Sequence, residues 1–160
     1  MKSPYILASV FVVACSASNP ELESFVKSLQ VKAAELKLND ILLLEVPDQQ
    51  ANKRLILVNG QYRGSLCSES NTNKDLESQV SEYSGMTAPA FALLIRNEKV
   101  VEGFPLKYSL TLPQGVPGDD WCAFVVDGTA KFLRLKCVEV EPVDAIGPRC
   151  STISLEIERK

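Results

Sequence analysis

The stretch "CAFVVDGTAKFLRLKC", residues 122–137, decides how this chain is read. Two runs rich in apolar residues flank Asp127-Gly128, a pair that tolerates the positive backbone angles of a tight hairpin turn. Folded about that turn, Cys122, Phe124 and Val126 share one face with Leu133, Leu135 and Cys137. Lys131 is the misfit on that face, although its place beside the turn lets the ammonium reach water. In this register Cys122 faces Leu133 and sits about 13 Å along the strands from Cys137. Bridged cysteines need Cα atoms within about 7 Å, so each of the two is expected to pair elsewhere.

The other cysteines take their meaning from the start of the chain. "MKSPYILASVFVVACSASNPE", residues 1–21, has one basic residue, an apolar run from Tyr5 to Ala14 and then small side chains. Those are the parts of a secretory leader, with cleavage expected after Ala17 or Ser18. The run is too short to span a bilayer, and no later run is long enough either. Val12-Val13-Ala14-Cys15-Ser16 also resembles the bacterial lipobox, which implies, as an alternative, a lipoprotein anchored through Cys15. Simple secretion is the preferred reading, with residues 1–18 removed and 19–160 forming one domain.

An exported chain keeps Cys67, Cys122, Cys137 and Cys150 in an oxidising compartment. An even number there reads as two disulfides, and three connectivities are open. Cys137 with Cys150 and Cys67 with Cys122 is the preferred set. No C-x-x-C spacing occurs and the chain has no histidine, so neither a zinc clamp nor a redox pair fits.

Outward from the cysteines, the remaining segments read mainly as strands. "KRLILVNGQYRGSLC", 53–67, reads as a hairpin about Asn59-Gly60, with Leu57 opposite Tyr62 and Leu55 opposite Gly64. Leu55, Leu57, Tyr62 and Leu66 then face a core, and Arg54, Arg63 and Ser65 face water. Residues 40–46 read as a buried strand ended by Pro47, and 90–104 as a hairpin turning near Asn97-Glu98. Further strands are expected over 106–113 and at the C-terminus, where Ile153, Leu155 and Ile157 point inward. The polar stretch 68–89 reads as a loop with a helical turn or two over 74–83, and 114–120 as a turn-rich loop.

Residues 19–39 are the exception. Asn19 can cap, Pro20 suits a first turn, and Leu22, Phe25, Val26, Leu29, Ala33 and Leu36 recur at helical spacing, with Asn39 as the stop. The expected fold is therefore mainly β: an antiparallel sandwich or barrel with one N-terminal helix, stapled by two disulfides.

The same residues restrict the chemistry. Without histidine no Ser-His-Asp or Cys-His arrangement can form. Carboxylate chemistry needs only two acids, for which Asp119, Asp120, Asp127, Glu98 and Glu102 qualify by type, yet acids in turns are normally solvated. No cofactor or metal is called for. A net charge of −3 without a basic block argues against nucleic acid as a partner. Lys53-Arg54 resembles a secretory processing site, but as the start of a strand two outward cations are unremarkable. In general make-up the chain resembles small secreted proteins of filamentous fungi and other host-associated eukaryotes.

These readings point to a non-catalytic, effector- or inhibitor-like protein that binds an extracellular or host protein or glycan. A lipid or small-ligand carrier is the alternative, and a carboxylate hydrolase stands behind both. The expected contact is the loop at 113–121, where prolines and glycines shape the backbone and Asp119, Asp120 and Trp121 offer charge and a large amphipathic ring.

Overall fold

The computed structural model describes residues 20–48, 53–59, 73–83, 86–111, 123–126, 128–143 and 147–159. The leader with Cys15, both Cys67 and Cys122, and the loop carrying Asp119, Asp120 and Trp121 lie outside the described residues. In chain order the elements are helix α1 (Pro20–Gln30), strands β1 (Ile41–Glu45) and β2 (Lys53–Asn59), and helix α2 (Lys74–Ser81). Strands β3 (Ala90–Arg96), β4 (Lys99–Leu106), β5 (Ser109–Thr111), β6 (Phe124–Val126), β7 (Ala130–Glu141) and β8 (Arg149–Arg159) follow.

The strands make a sandwich rather than a closed barrel. One sheet runs β1-β7-β8-β5 and the other β4-β3-β2-β6. Pairing is antiparallel except between β5 and β8, which run parallel, so the first sheet is mixed. Between the sheets lies one core, to which β2 gives Leu55 and Leu57, β6 gives Phe124 and Val126, and β7 and β8 give Leu133, Leu135, Ile153 and Leu155. Helix α1 adds Phe25, Val26 and Leu29 to the same cluster.

The α1 stripe is buried as the spacing implies, but the helix ends at Gln30, well before Asn39. A single 3-10 turn at Ala33–Glu35 follows, and it still delivers Ala33 to the core. A continuing helix would direct the Ala33 N–H to the Leu29 carbonyl. That carbonyl instead accepts the Tyr108 hydroxyl at 2.8 Å. Asn39 serves as a turn residue with a φ of 68°, one of few non-glycine positions in the left-handed region.

Both hairpins expected at Asn59-Gly60 and Asp127-Gly128 are overturned. Strand β2 pairs with β3 along one edge and with β6 along the other, so Leu55 and Leu57 face Val126 and Phe124 across the ladder. Both edges of β2 are thus taken at these positions, and residues 60–67 lie outside the described residues. Nor is β2 half-buried: Ile56 and Val58 enter a second core on the outer face of their sheet. Leu76 and Val80, one helical turn apart on α2, cover that core together with Phe91, Leu93 and Ile95. The helical turns expected over 74–83 are present as α2, and the apolar layer beneath them is not evident from the polar stretch 68–89.

In the stretch 122–137, β6 and β7 belong to different sheets, and the chain crosses between layers from Val126 to Ala130. Five residues expected on the inward face, Phe124, Val126, Leu133, Leu135 and Cys137, do join the central core, while Cys122 lies outside the described residues. They meet across the sandwich rather than along a ladder. The misplaced Lys131 is resolved by a β-bulge, since Ala130 pairs with Arg159 and Phe132 with the adjacent Glu158. The extra residue turns Ala130 inward and Lys131 outward, its ammonium 5.4 Å from the Phe132 ring centre.

The hairpin over 90–104 is present, turning at Asn97 and Glu98 with φ of 48° and 60°. The strands expected over 40–46 and at the C-terminus are present as β1 and β8, with Ile153 and Leu155 buried. Of the one expected over 106–113, only Ser109–Thr111 forms β5, since Leu106 ends β4 and 112–113 lie outside the described residues. Cys137 and Cys150 form a disulfide with Cα atoms 5.9 Å apart. Cys137 pairs with Ile153 and Val140 with Cys150 in the β7–β8 ladder, with irregularities between them. The adjacency of β7 and β8 brings these two cysteines together, not the hairpin register expected about Asp127-Gly128.

Candidate functional site

Of the sequence-derived site residues, Cys137 and Cys150 are brought together, while Cys67, Cys122, Asp119, Asp120 and Trp121 lie outside the described residues. The chain enters the loop from β5, the edge of the first sheet, and leaves it into β6, the edge of the second. Glu98, one of the acids eligible for catalysis, accepts from Arg54 Nη2 at 2.6 Å and from Asn73 Nδ2 at 3.3 Å. Because Asn73 also caps α2 through the Asp75 and Leu76 N–H groups, Glu98 joins the hairpin turn, β2 and α2. Glu102 is an exposed β4 residue opposite Leu94. Among the described residues no group of three or more His, Cys, Asp or Glu side chains is placed to hold a metal ion. No helix among them is long and apolar enough to cross a membrane.

The feature that sequence reasoning missed is the edge of the first sheet at β1. The Cys137 N–H donates to the Asp40 carbonyl at 3.1 Å, and the Val46 N–H donates to the Lys131 carbonyl at 2.9 Å. Antiparallel alternation then directs the backbone groups of Leu42 and Leu44 to β7 and those of Ile41, Leu43 and Glu45 away from it. The same alternation puts the side chains of Ile41 and Leu43 on the outer face, where they are 47% and 54% exposed. The one usable signal in the chain was the run Ile41-Leu42-Leu43-Leu44. A run without alternation suggests a strand buried on both faces. Here one of those faces is open.

Beside this edge lies a groove of about 630 Å³ between β1 and the N-terminal half of α1. Glu21, Ser24 and Phe25 line it from the helix, and Leu43, Glu45 and Asp48 from the strand and its exit. No basic side chain is among the described residues that line it. The groove thus offers an apolar floor, a negative rim and, along one wall, main-chain groups that meet no partner among the described residues.

The other strand edges are blunted. The Asn59 side chain occupies β5 by accepting from the Leu110 N–H at 2.9 Å and donating to the Leu110 carbonyl at 2.6 Å. On β4, Gln79 accepts the Val100 N–H, Gln30 donates to the Pro105 carbonyl, and a bulge and a proline interrupt the ladder. Strand β6 is only three residues long. Comparison of the chain with protein-family models, curated proteins and solved structures found no match.

Proposed function

We propose that this chain is an exported, disulfide-stabilised protein that acts by binding an extracellular or host partner and performs no catalysis. The observation that carries the reading is the free β1 edge, where exposed Ile41 and Leu43 adjoin a groove of binding dimensions. Large apolar side chains beside open backbone groups favour association with another chain. Export is supported by the secretory pattern of residues 1–18 and by a disulfide that needs an oxidising compartment. Asp119, Asp120 and Trp121 are proposed as a further contact.

The test is capture from extracellular fluid and host extract by the disulfide-intact secreted protein, followed by identification of what is retained. A specific partner released by Asp119→Ala/Asp120→Ala/Trp121→Ala or by Leu43→Lys/Glu45→Lys supports the reading. Hydrolysis of a cell-wall polysaccharide by the purified protein, lost on changing a carboxylate, would replace it with an enzymatic one. A co-purified lipid seen in native mass spectrometry would replace it with a carrier function.

A further inference from the structure

Resting on the binding reading above, we propose that the β1 edge accepts an extended, basic segment of a partner protein as an added strand. Three observations converge on that occupant. The first is the open ladder: Ile41, Leu43 and Glu45 turn their N–H and C=O groups away from β7, and no partner meets them among the described residues. An extended segment satisfies such groups by continuing the sheet, which is how strand addition obtains affinity.

The second is the pattern of side chains that the segment would meet. On the outer face it would lie beside Ile41 and Leu43; toward the groove it would meet Phe25 and Leu44. Alternate apolar residues on the incoming strand match both. The third is charge. The groove is lined by the carboxylates Glu21 and Glu45 and by no basic group among the described residues. A segment carrying lysine or arginine is attracted there, whereas an acidic one is repelled. This also decides against a second copy of the chain, whose edge would bring the same carboxylates and a net charge of −3. Acidic side chains at an edge act against pairing between copies.

The probe is a fluorescein-labelled peptide, Lys-Val-Lys-Val-Lys-Val-Lys, titrated against the secreted, disulfide-intact protein and followed by fluorescence anisotropy. Two comparators separate main-chain pairing from charge: the same peptide with glutamate for lysine, and the lysine peptide N-methylated at alternate residues. The lysine peptide is expected to bind saturably, and N-methylation to weaken it by about tenfold through lost main-chain hydrogen bonds. The glutamate peptide should show no binding. Leu43→Lys/Glu45→Lys should abolish lysine-peptide binding while thermal unfolding stays unchanged, because both side chains are exposed.

Equal binding of the N-methylated peptide would reduce the interaction to charge alone and overturn strand addition. Unchanged binding to the double variant would place it elsewhere. A dimer in sedimentation that the double variant dissolves would give the edge to a second copy, and absence of lysine-peptide binding to a monomer would also overturn the proposal. If the double variant still captures the partner found in extract, the binding reading survives and only this site is lost. If neither protein captures a partner, the broader reading fails as well.

Discussion

Tyr108 carries a hydroxyl into the core to reach one atom, the Leu29 carbonyl oxygen at 2.8 Å. Burial pushes its phenol above the ordinary tyrosine range, because the phenolate would lose its hydration. Tyr108→Phe leaves the carbonyl at the end of α1 without this donor, at an expected cost of about 1–3 kcal/mol in chemical denaturation. The sign with pH follows from the raised value. Below pH of about 10 both states hold the proton; above it the unfolded chain releases its proton while the folded one keeps it. Stability should then fall by about 1.4 kcal/mol per pH unit from this group, and the Tyr108→Phe protein should lack that slope. Equal alkaline slopes in the two proteins would remove Tyr108 as the cause. Asn59 works at the same scale. Its amide donates to and accepts from the Leu110 backbone, joining the end of β2 to β5 in the opposite sheet. Asn59→Ala should cost about 1–3 kcal/mol by stranding both groups, and Asn59→Asp should not restore it, since a carboxylate cannot donate to the Leu110 carbonyl. The sequence suggested only a hairpin turn at Asn59-Gly60, and this bridge was not legible because Leu110 is 51 residues along the chain.

Strands β7 and β8 form the longest ladder of the fold, and the disulfide ties them where their register is irregular. The bridge closes a short loop, since its cysteines are 13 residues apart in sequence. Replacing both Cys137 and Cys150 with alanine should lower stability by about 2–4 kcal/mol, measured as a shift in the denaturation midpoint. Peptide mapping of the unreduced protein should recover Cys137 joined to Cys150; either residue found as a free thiol would contradict the pairing. The α2 element makes a separate prediction. Leu76 is fully buried in the second core, so Leu76→Ala should cost about 2–5 kcal/mol. An exposed α2 position such as Ser78 should tolerate alanine with little change. The polar stretch 68–89 reads as a loop with a helical turn or two over 74–83, and that polar composition conceals how much apolar surface the helix covers. Two side chains, Leu76 and Val80, are enough because the sheet beneath supplies the rest.

At the scale of the molecule, the two sheets hold segments that are distant in sequence, and that bears on the dibasic pair. Lys53 and Arg54 are half-buried in β2, paired with Arg96 and Ile95, and Arg54 is bound to Glu98. A processing protease needs an extended, unpaired substrate, so native protein should resist trypsin at this pair and be cut there only after unfolding. Rapid native cleavage would overturn that placement. Cleavage would also sever α1 and β1, with Phe25, Val26, Leu29 and Leu44, from the core they share with β7 and β8. The sequence by itself determined what depends on neighbours along the chain: the α1 stripe, the strand over 40–46, the Asn97-Glu98 hairpin, and the inward set Phe124, Val126, Leu133, Leu135 and Cys137, though not the exchange of Lys131 for Ala130. Alternation and turn chemistry act within a few residues, and local composition records them. Only the tertiary structure decided that β6 and β7 part into different sheets, that β2 is covered on both faces, and that β1 is an edge among the described strands. Those outcomes depend on which strand lies beside which. An apolar face is satisfied equally by the next strand along or by one across the sandwich, so hydrophobic pattern alone leaves the neighbour undetermined.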